Sequence, residues 1–146
     1  MTGSIRPKAV CVCRRGDRVL VAPAFDTVKR QTYYCPPGGG IEFGEHAADA
    51  VRREMREELA VELSDVSLLG VLENVFTHEG VAGHEVVFVF AATLENPAFY
   101  ERDEIAGVES NGRPFVVQWL PLADFRPGGA LLHPHGLFDL LRPRDG

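Results

Sequence analysis

The stretch from Gly39 to Val61, GGIEFGEHAADAVRREMREELAV, constrains this chain more than any other. It opens on a glycine-rich turn and continues with Val51, Met55 and Leu59 at helical spacing, an apolar stripe able to dock a helix. Glu54, Glu57 and Glu58 lie three and four positions apart, so a helix sets them side by side, roughly a hundred degrees from that stripe. Like charges so placed repel one another, and a purely structural helix gains nothing by gathering them. A hard divalent cation such as magnesium, bound through oxygen ligands, supplies a reason. Arg53 is placed to pair with Glu57 one turn on.

The rest of the composition narrows the class. A chain of 146 residues, 45% of them apolar, reads as one globular domain over 1–146 with room for a core. Its net charge of -6 argues against a nucleic-acid backbone or an anionic membrane as partner. A small anionic phosphate substrate meets the same repulsion unless metal ions neutralise the site. No apolar run is long enough to span a bilayer, and MTGSIRPKAVCVC lacks the build of a signal peptide. Three cysteines cannot all pair within one chain, so reduced thiols and a cytoplasmic location are expected. A homodimer is left open.

Alternation and turn residues set out the elements. Lys8 to Arg14 and Arg18 to Ala22 read as a hairpin about Arg15-Gly16-Asp17. Phe25 to Cys35 reads as a surface loop, and Pro36-Pro37-Gly38-Gly39-Gly40 as a segment that brings backbone close to a ligand. A helix is expected over 46–59, strands over 66–77 and 84–94 about a turn at 79–83, and a loop over 96–112. A strand over 114–120 and short helices over 122–125 and 135–141 complete the order, which suggests a mixed sheet covered by helices.

The central stretch resembles the signature of the Nudix hydrolase family, the MutT-like enzymes: a glycine, five residues, a glutamate, seven residues, then Arg-Glu-apolar-any-Glu-Glu-any-Gly-apolar. The positions fall on Gly39, Glu45, Arg53, Glu54, Met55, Glu57, Glu58 and Val61. Ala60 stands where the pattern has its second glycine. A residue closing a helix there takes a left-handed conformation, which costs alanine about 1 kcal/mol relative to glycine and touches no ligand. The Pro-Pro-Gly-Gly before the motif and Trp119-Leu120-Pro121-Leu122 near the end also look like the family.

The resemblance implies an α/β fold, an α/β/α sandwich with a mixed sheet and the signature helix on one face. It implies a metal-dependent nucleotide pyrophosphohydrolase that splits a phosphoanhydride in a nucleoside diphosphate linked to another group, with Mg2+ or Mn2+ as cofactor. Glu54, Glu57 and Glu58 then bind metal beside the diphosphate, helped by the backbone carbonyl of Gly38. Glu54 sits where some relatives have their general base, and others take it from a later acid. Glu45 and Arg53 hold the loop of Gly38 and Gly39 against the helix. Of Asp103, Glu104 and Glu109, the last is favoured as the additional carboxylate because it borders the strand leading to Trp119.

Each of these has a plainer reading beside it. The three glutamates also fit a solvated helix face with i,i+4 links to arginines, and the loop acids fit solvated charges. Tyr33, Tyr34, Phe25, Phe76 and Phe99 include candidate stacking platforms, yet aromatics in such a domain are more often core. Glu73, Asn74 and His78 share one strand and either line a cleft or belong to an ordinary sheet face. Cys11 and Cys13 share a strand face without the further ligands a metal needs, and Cys35 has no partner base. His133 and His135 fit capping and surface roles. A non-catalytic nucleotide-sensing module of the same fold is the alternative function, disfavoured by the full set of carboxylates. An isoprenoid diphosphate isomerase would call for a catalytic cysteine and a larger chain.

Overall fold

A computed structural model describes residues 3–143 of the chain. In chain order the elements are β1 (Ile5–Val12), β2 (Arg14–Arg15), β3 (Arg18–Asp26), β4 (Gln31–Cys35), β5 (Gly38–Gly40), α1 (Ala47–Leu59), β6 (Leu63–His78), β7 (Val81–Leu94), β8 (Glu104–Val108), β9 (Pro114–Pro121), β10 (Leu131–Leu132) and α2 (Leu137–Leu141). Single turns of 3-10 helix follow β7, at Pro97–Tyr100, and β9, at Leu122–Phe125.

The strands form two mixed sheets where a single one was expected. One has the order β5-β1-β7-β6, the other β10-β4-β3-β9-β8, with β2 also on β3. Strand β1 lies parallel to β7, Ile5 opposite His84 through Val12 opposite Ala91. Alternate side chains of a strand point to opposite faces, and β1 uses both. Ala9, Cys11 and Cys13 join the core beneath α1, while Val10 and Val12 join the core that holds Leu137 and Leu141 of α2. Helices on opposite faces of the first sheet give the expected layered α/β/α build.

Helix α1 forms as its periodicity demands, with Val51 and Met55 fully buried and Leu59 nearly so. It closes on Ala60 in the left-handed conformation, φ 52° and ψ 40°, whose N–H donates to the Arg56 carbonyl at 3.1 Å.

Four connections differ from expectation. The first hairpin is confined to Arg14–Arg15 against Arg18–Val19, because β1 leaves for the other sheet at Cys13. Phe25 to Cys35 is a true hairpin, β3 against β4, and β8 fills much of the loop expected over 96–112. The turn at 79–83 shrinks to Glu79-Gly80, with both residues at positive φ. A distant partner settles the first case, where β7 draws β1 away. In the others neighbouring segments pair with each other, because open N–H and C=O groups seek partners that local pattern alone does not name.

Buried Asp26 binds the tips of the two long hairpins together. Its carboxylate accepts the N–H groups of Val28 at 2.9 Å, Lys29 at 3.0 Å and Glu79 at 3.2 Å. Thr27 donates its N–H, at 2.9 Å, and its hydroxyl to the Glu79 carboxylate, and Lys29 Nζ donates to the Thr77 carbonyl at 2.7 Å.

Candidate active site

The glycine turn is fastened to α1 by one arginine. Arg53 donates from Nε to Glu45 Oε2 at 2.8 Å and from Nη2 to Glu45 Oε1 and the Gly40 carbonyl, both at 3.0 Å. Its Nη1 reaches Glu54 at 3.0 Å and Glu57 at 3.2 Å. Such forked, charge-assisted bonding orients a side chain that ammonium could not replace. The guanidinium holds the Glu45 carboxyl down to about 2, and the carboxylates in turn raise Arg53 above its ordinary value.

Two glycines make room for this arrangement. A Cβ on Gly39 would collide with the Glu54 carboxyl, which lies buried under the turn. One on Gly38, at φ 152°, would collide with the Ala9 carbonyl. The turn is also hung on β1, for the Cys11 N–H donates to the Pro37 carbonyl at 2.9 Å.

A cleft of about 260 Å³ opens beside the turn, lined by Lys8, Cys35, Gly38, Glu58, Glu109 and Phe115 among others. Burial pushes the Glu58 carboxyl up to about 8, reinforced by a hydrogen bond and repulsion from Glu54 and by the charge of Glu109, while Lys8 opposes the shift. Among the loop acids only Glu109 lines this cleft. Asp103 pairs with Arg15 at 3.3 Å, and Glu104 starts β8 opposite Gln118. Glu109 stands at the turn from β8 into β9, its N–H donating to the Arg113 carbonyl at 2.8 Å.

The three helix glutamates are therefore not equivalent. Glu54 is buried and tied to Arg53, Glu58 faces the cleft, and Glu57 is half exposed in its i,i+4 pair with Arg53. Among the described residues no three His, Cys, Asp or Glu side chains stand ready as a metal-binding group. The donors nonetheless suit a hard cation: oxygen-bearing, acidic, and crowded enough that Glu58 is driven toward its neutral form. A bound cation would relieve that repulsion.

The remaining candidates fall mostly outside the cleft. Asn74 is buried and accepts the His135 N–H at 3.0 Å, Glu73 pairs with His84 at 2.8 Å, and His78 bonds the Tyr33 hydroxyl at 3.0 Å. His133 lies against Tyr33, ring centroids 4.7 Å apart. Cys11 and Cys13 are buried with sulfurs 3.4 Å apart. Cys35 lines the cleft, but burial lifts its thiol to about 11, far from a nucleophile. Lys8 escaped the sequence reading. It lies midway along β1, near Glu85 at 3.5 Å, and nothing local in the sequence separates it from an ordinary surface lysine.

The family model for the NUDIX domain matches residues 5–140 of this chain. The chain belongs to the NUDIX family. NUDIX hydrolases generally use divalent metal ions. A protein named NAD-capped RNA hydrolase NudC from Pseudomonas putida strain W619 is 32% identical over 119 residues, 80% of this chain and 38% of that one. Its namesake from Pseudomonas entomophila strain L48 is 29% identical over 125 residues, 84% of this chain and 39% of that one. The chain thus spans about two fifths of the length of these relatives. Among solved structures, a MutT NUDIX hydrolase from Burkholderia pseudomallei superposes with a TM-score of 0.70 at 23% identity, covering 96% of this chain and all of that one. A NUDIX hydrolase from Nitrosomonas europaea gives 0.63 at 15% identity, over 94% and 86% of the two chains. These two likenesses are of fold. Among the described residues no helix is long and apolar enough to cross a membrane.

Proposed function

We propose that this NUDIX domain hydrolyses a phosphoanhydride in a nucleoside diphosphate linked to another group, using Mg2+, with Mn2+ able to replace it. The observation that carries the reading is the meeting of Glu58, Glu109 and the Pro36-Pro37-Gly38 turn in one cleft, with Glu54 immediately behind. Glu54, Glu57, Glu58 and the Gly38 carbonyl would hold the metal, which supplies charge neutralisation for the diphosphate oxygens and a more acidic water. Arg53 and Glu45 fix the turn of Gly38 and Gly39 on the helix, so the donors keep their places. Glu109, exposed at the cleft edge, or Glu54, shielded beneath the turn, takes the proton of the attacking water. Lys8, which also lines the cleft, supplies a positive charge for a phosphate oxygen.

A substrate with the layout of NAD, two nucleosides joined through a diphosphate, is the first to try, given what the Pseudomonas relatives are named for. The net charge of -6 favours a free nucleotide over a long nucleic-acid backbone. Free cysteines agree with a reducing, cytoplasmic setting.

The test incubates the protein with NAD, ADP-ribose, nucleotide sugars and dinucleoside polyphosphates, in magnesium, manganese or chelator, and separates the products by chromatography. Cleavage of a diphosphate that stops in chelator is expected. Saturable binding with no cleavage under any metal would favour the sensing module, and cleavage that persists in chelator would overturn the metal mechanism.

A further inference from the structure

Pairing between β3 and β9 ends at Val21 opposite Gln118. From there Ala22 to Asp26 pair with β4 alone, and Pro114 to Val117 pair with β8 alone. The two strands part into a wedge of about 770 Å³, within the usual range for small-molecule sites. The parting is held from outside, because Asp26, Thr27 and Lys29 fasten the β3–β4 hairpin to the tip of β6–β7. Tyr33, bonded to His78, adds a further tie. The gap is therefore built into the fold before any ligand arrives.

The wedge joins the acidic cleft, since Glu109 and Phe115 line both. Its walls carry features that the fold itself leaves unused. Phe25 is 54% exposed, and its ring gains little from water. Arg113 lines the wedge and has no ion-pair partner among the described residues, so its charge is available to a ligand. Pro23 and Pro114 on facing edges donate no N–H and keep the two strands from closing into a ladder.

We propose that the wedge receives the planar aromatic base of the substrate's nucleoside arm, with Phe25 stacking on it and Arg113 facing the negative charge that its ribose phosphate carries. This rests on the hydrolase reading only for where the diphosphate lies, across the Glu109 boundary. Stacking accepts every base because every base has a π-face, so the site should tolerate base identity and favour the larger purines.

The experiment titrates AMP, GMP, CMP and UMP into the protein in chelator by calorimetry, and follows ADP-ribose turnover in magnesium. Saturable binding is expected, purines tighter than pyrimidines. Phe25→Ala should weaken AMP by about tenfold, in keeping with the loss of one aromatic partner, and Phe25→Tyr should restore it. Arg113→Gln should weaken AMP but not adenosine. In turnover the Phe25→Ala loss should fall on KM rather than kcat. No binding of any of the four nucleotides, or wild-type AMP affinity in Phe25→Ala, overturns the wedge assignment, even where ADP-ribose is cleaved normally. AMP binding that Phe25→Ala abolishes, in a protein that cleaves no diphosphate, keeps the wedge and overturns the hydrolase reading.

Discussion

Asp26 and Glu58 are both carboxylates drawn out of bulk water, and their surroundings drive them in opposite directions. Around Asp26 the backbone N–H of Lys29 comes first, with those of Glu79 and Val28, and together they hold its carboxyl below the usual range against the cost of burial. Around Glu58 burial comes first, and Glu54 and Glu109 add like charge, which lifts it to about 8. Asp26 is satisfied by donors of the fold, whereas Glu58 faces like charges that a bound cation would offset. That difference is the one expected between a structural carboxylate and the proposed functional one. The chain spends its donors on the hairpin tips and on Arg53, and leaves the cleft acidic.

If this contrast is sound, the largest effect belongs to the cleft. Glu58→Gln and Glu57→Gln should each lower turnover at least about a hundredfold, roughly 2.7 kcal/mol of transition-state stabilisation. Thermal melting should show the fold intact, since neither side chain lies on the buried stripe of α1. Near-normal turnover in a folded Glu58→Gln protein would erase the distinction.

The converse change acts on stability. Asp26→Asn should lower the melting temperature at pH 7, because the amide accepts fewer of the three N–H groups and brings donors where donors already crowd. The sign with pH follows from the lowered carboxyl. The wild-type advantage is fully present above the ordinary aspartate value of 3.8 and is lost as pH falls through the lower value of the folded state. Melting curves of both proteins from pH 7 to 2 should therefore converge at the acid end, and parallel curves would show that Asp26 acts by shape alone.

The smallest effect sharpens the comparison by touching neither carboxylate. Ala60→Gly relieves a left-handed residue at φ 52° and should raise stability by at most about 1 kcal/mol in chemical denaturation. Turnover should be unchanged, because the position offers no side chain to the cleft. A marked change in activity would mean that the end of α1 governs Glu57 and Glu58 more directly than the hydrogen bonds indicate.

How much of this was legible beforehand depends on range along the chain. Arg53 with Glu45, the glycine turn and the apolar stripe of α1 all act within about twenty residues; the turn and the stripe were readable from the residues themselves, and the Arg53–Glu45 tie from the resemblance. The unequal fates of Glu54, Glu57 and Glu58 were not, because a helix pattern shows that they neighbour one another without showing which lies under Gly39 and which under solvent. Lys8, Phe115 and Arg113 gave no local signal. They reach the cleft or the wedge only because strands far apart in sequence lie side by side.

The sequence by itself determined the signature helix, its left-handed closure at Ala60, the glycine turn before it, and the family. The helix and the turn follow from sterics and periodicity, the closure and the family from the motif's resemblance, and a short segment carries all of it. Only the tertiary structure decided that β1 abandons its hairpin for β7, that two sheets form, and that β3 parts from β9 to open the wedge. Strand pairing is a choice among distant partners, settled by total burial and by where open N–H and C=O groups find acceptors and donors. The same long-range choice brought Glu109 to Glu58, and with it the electrostatic tension that marks the candidate site.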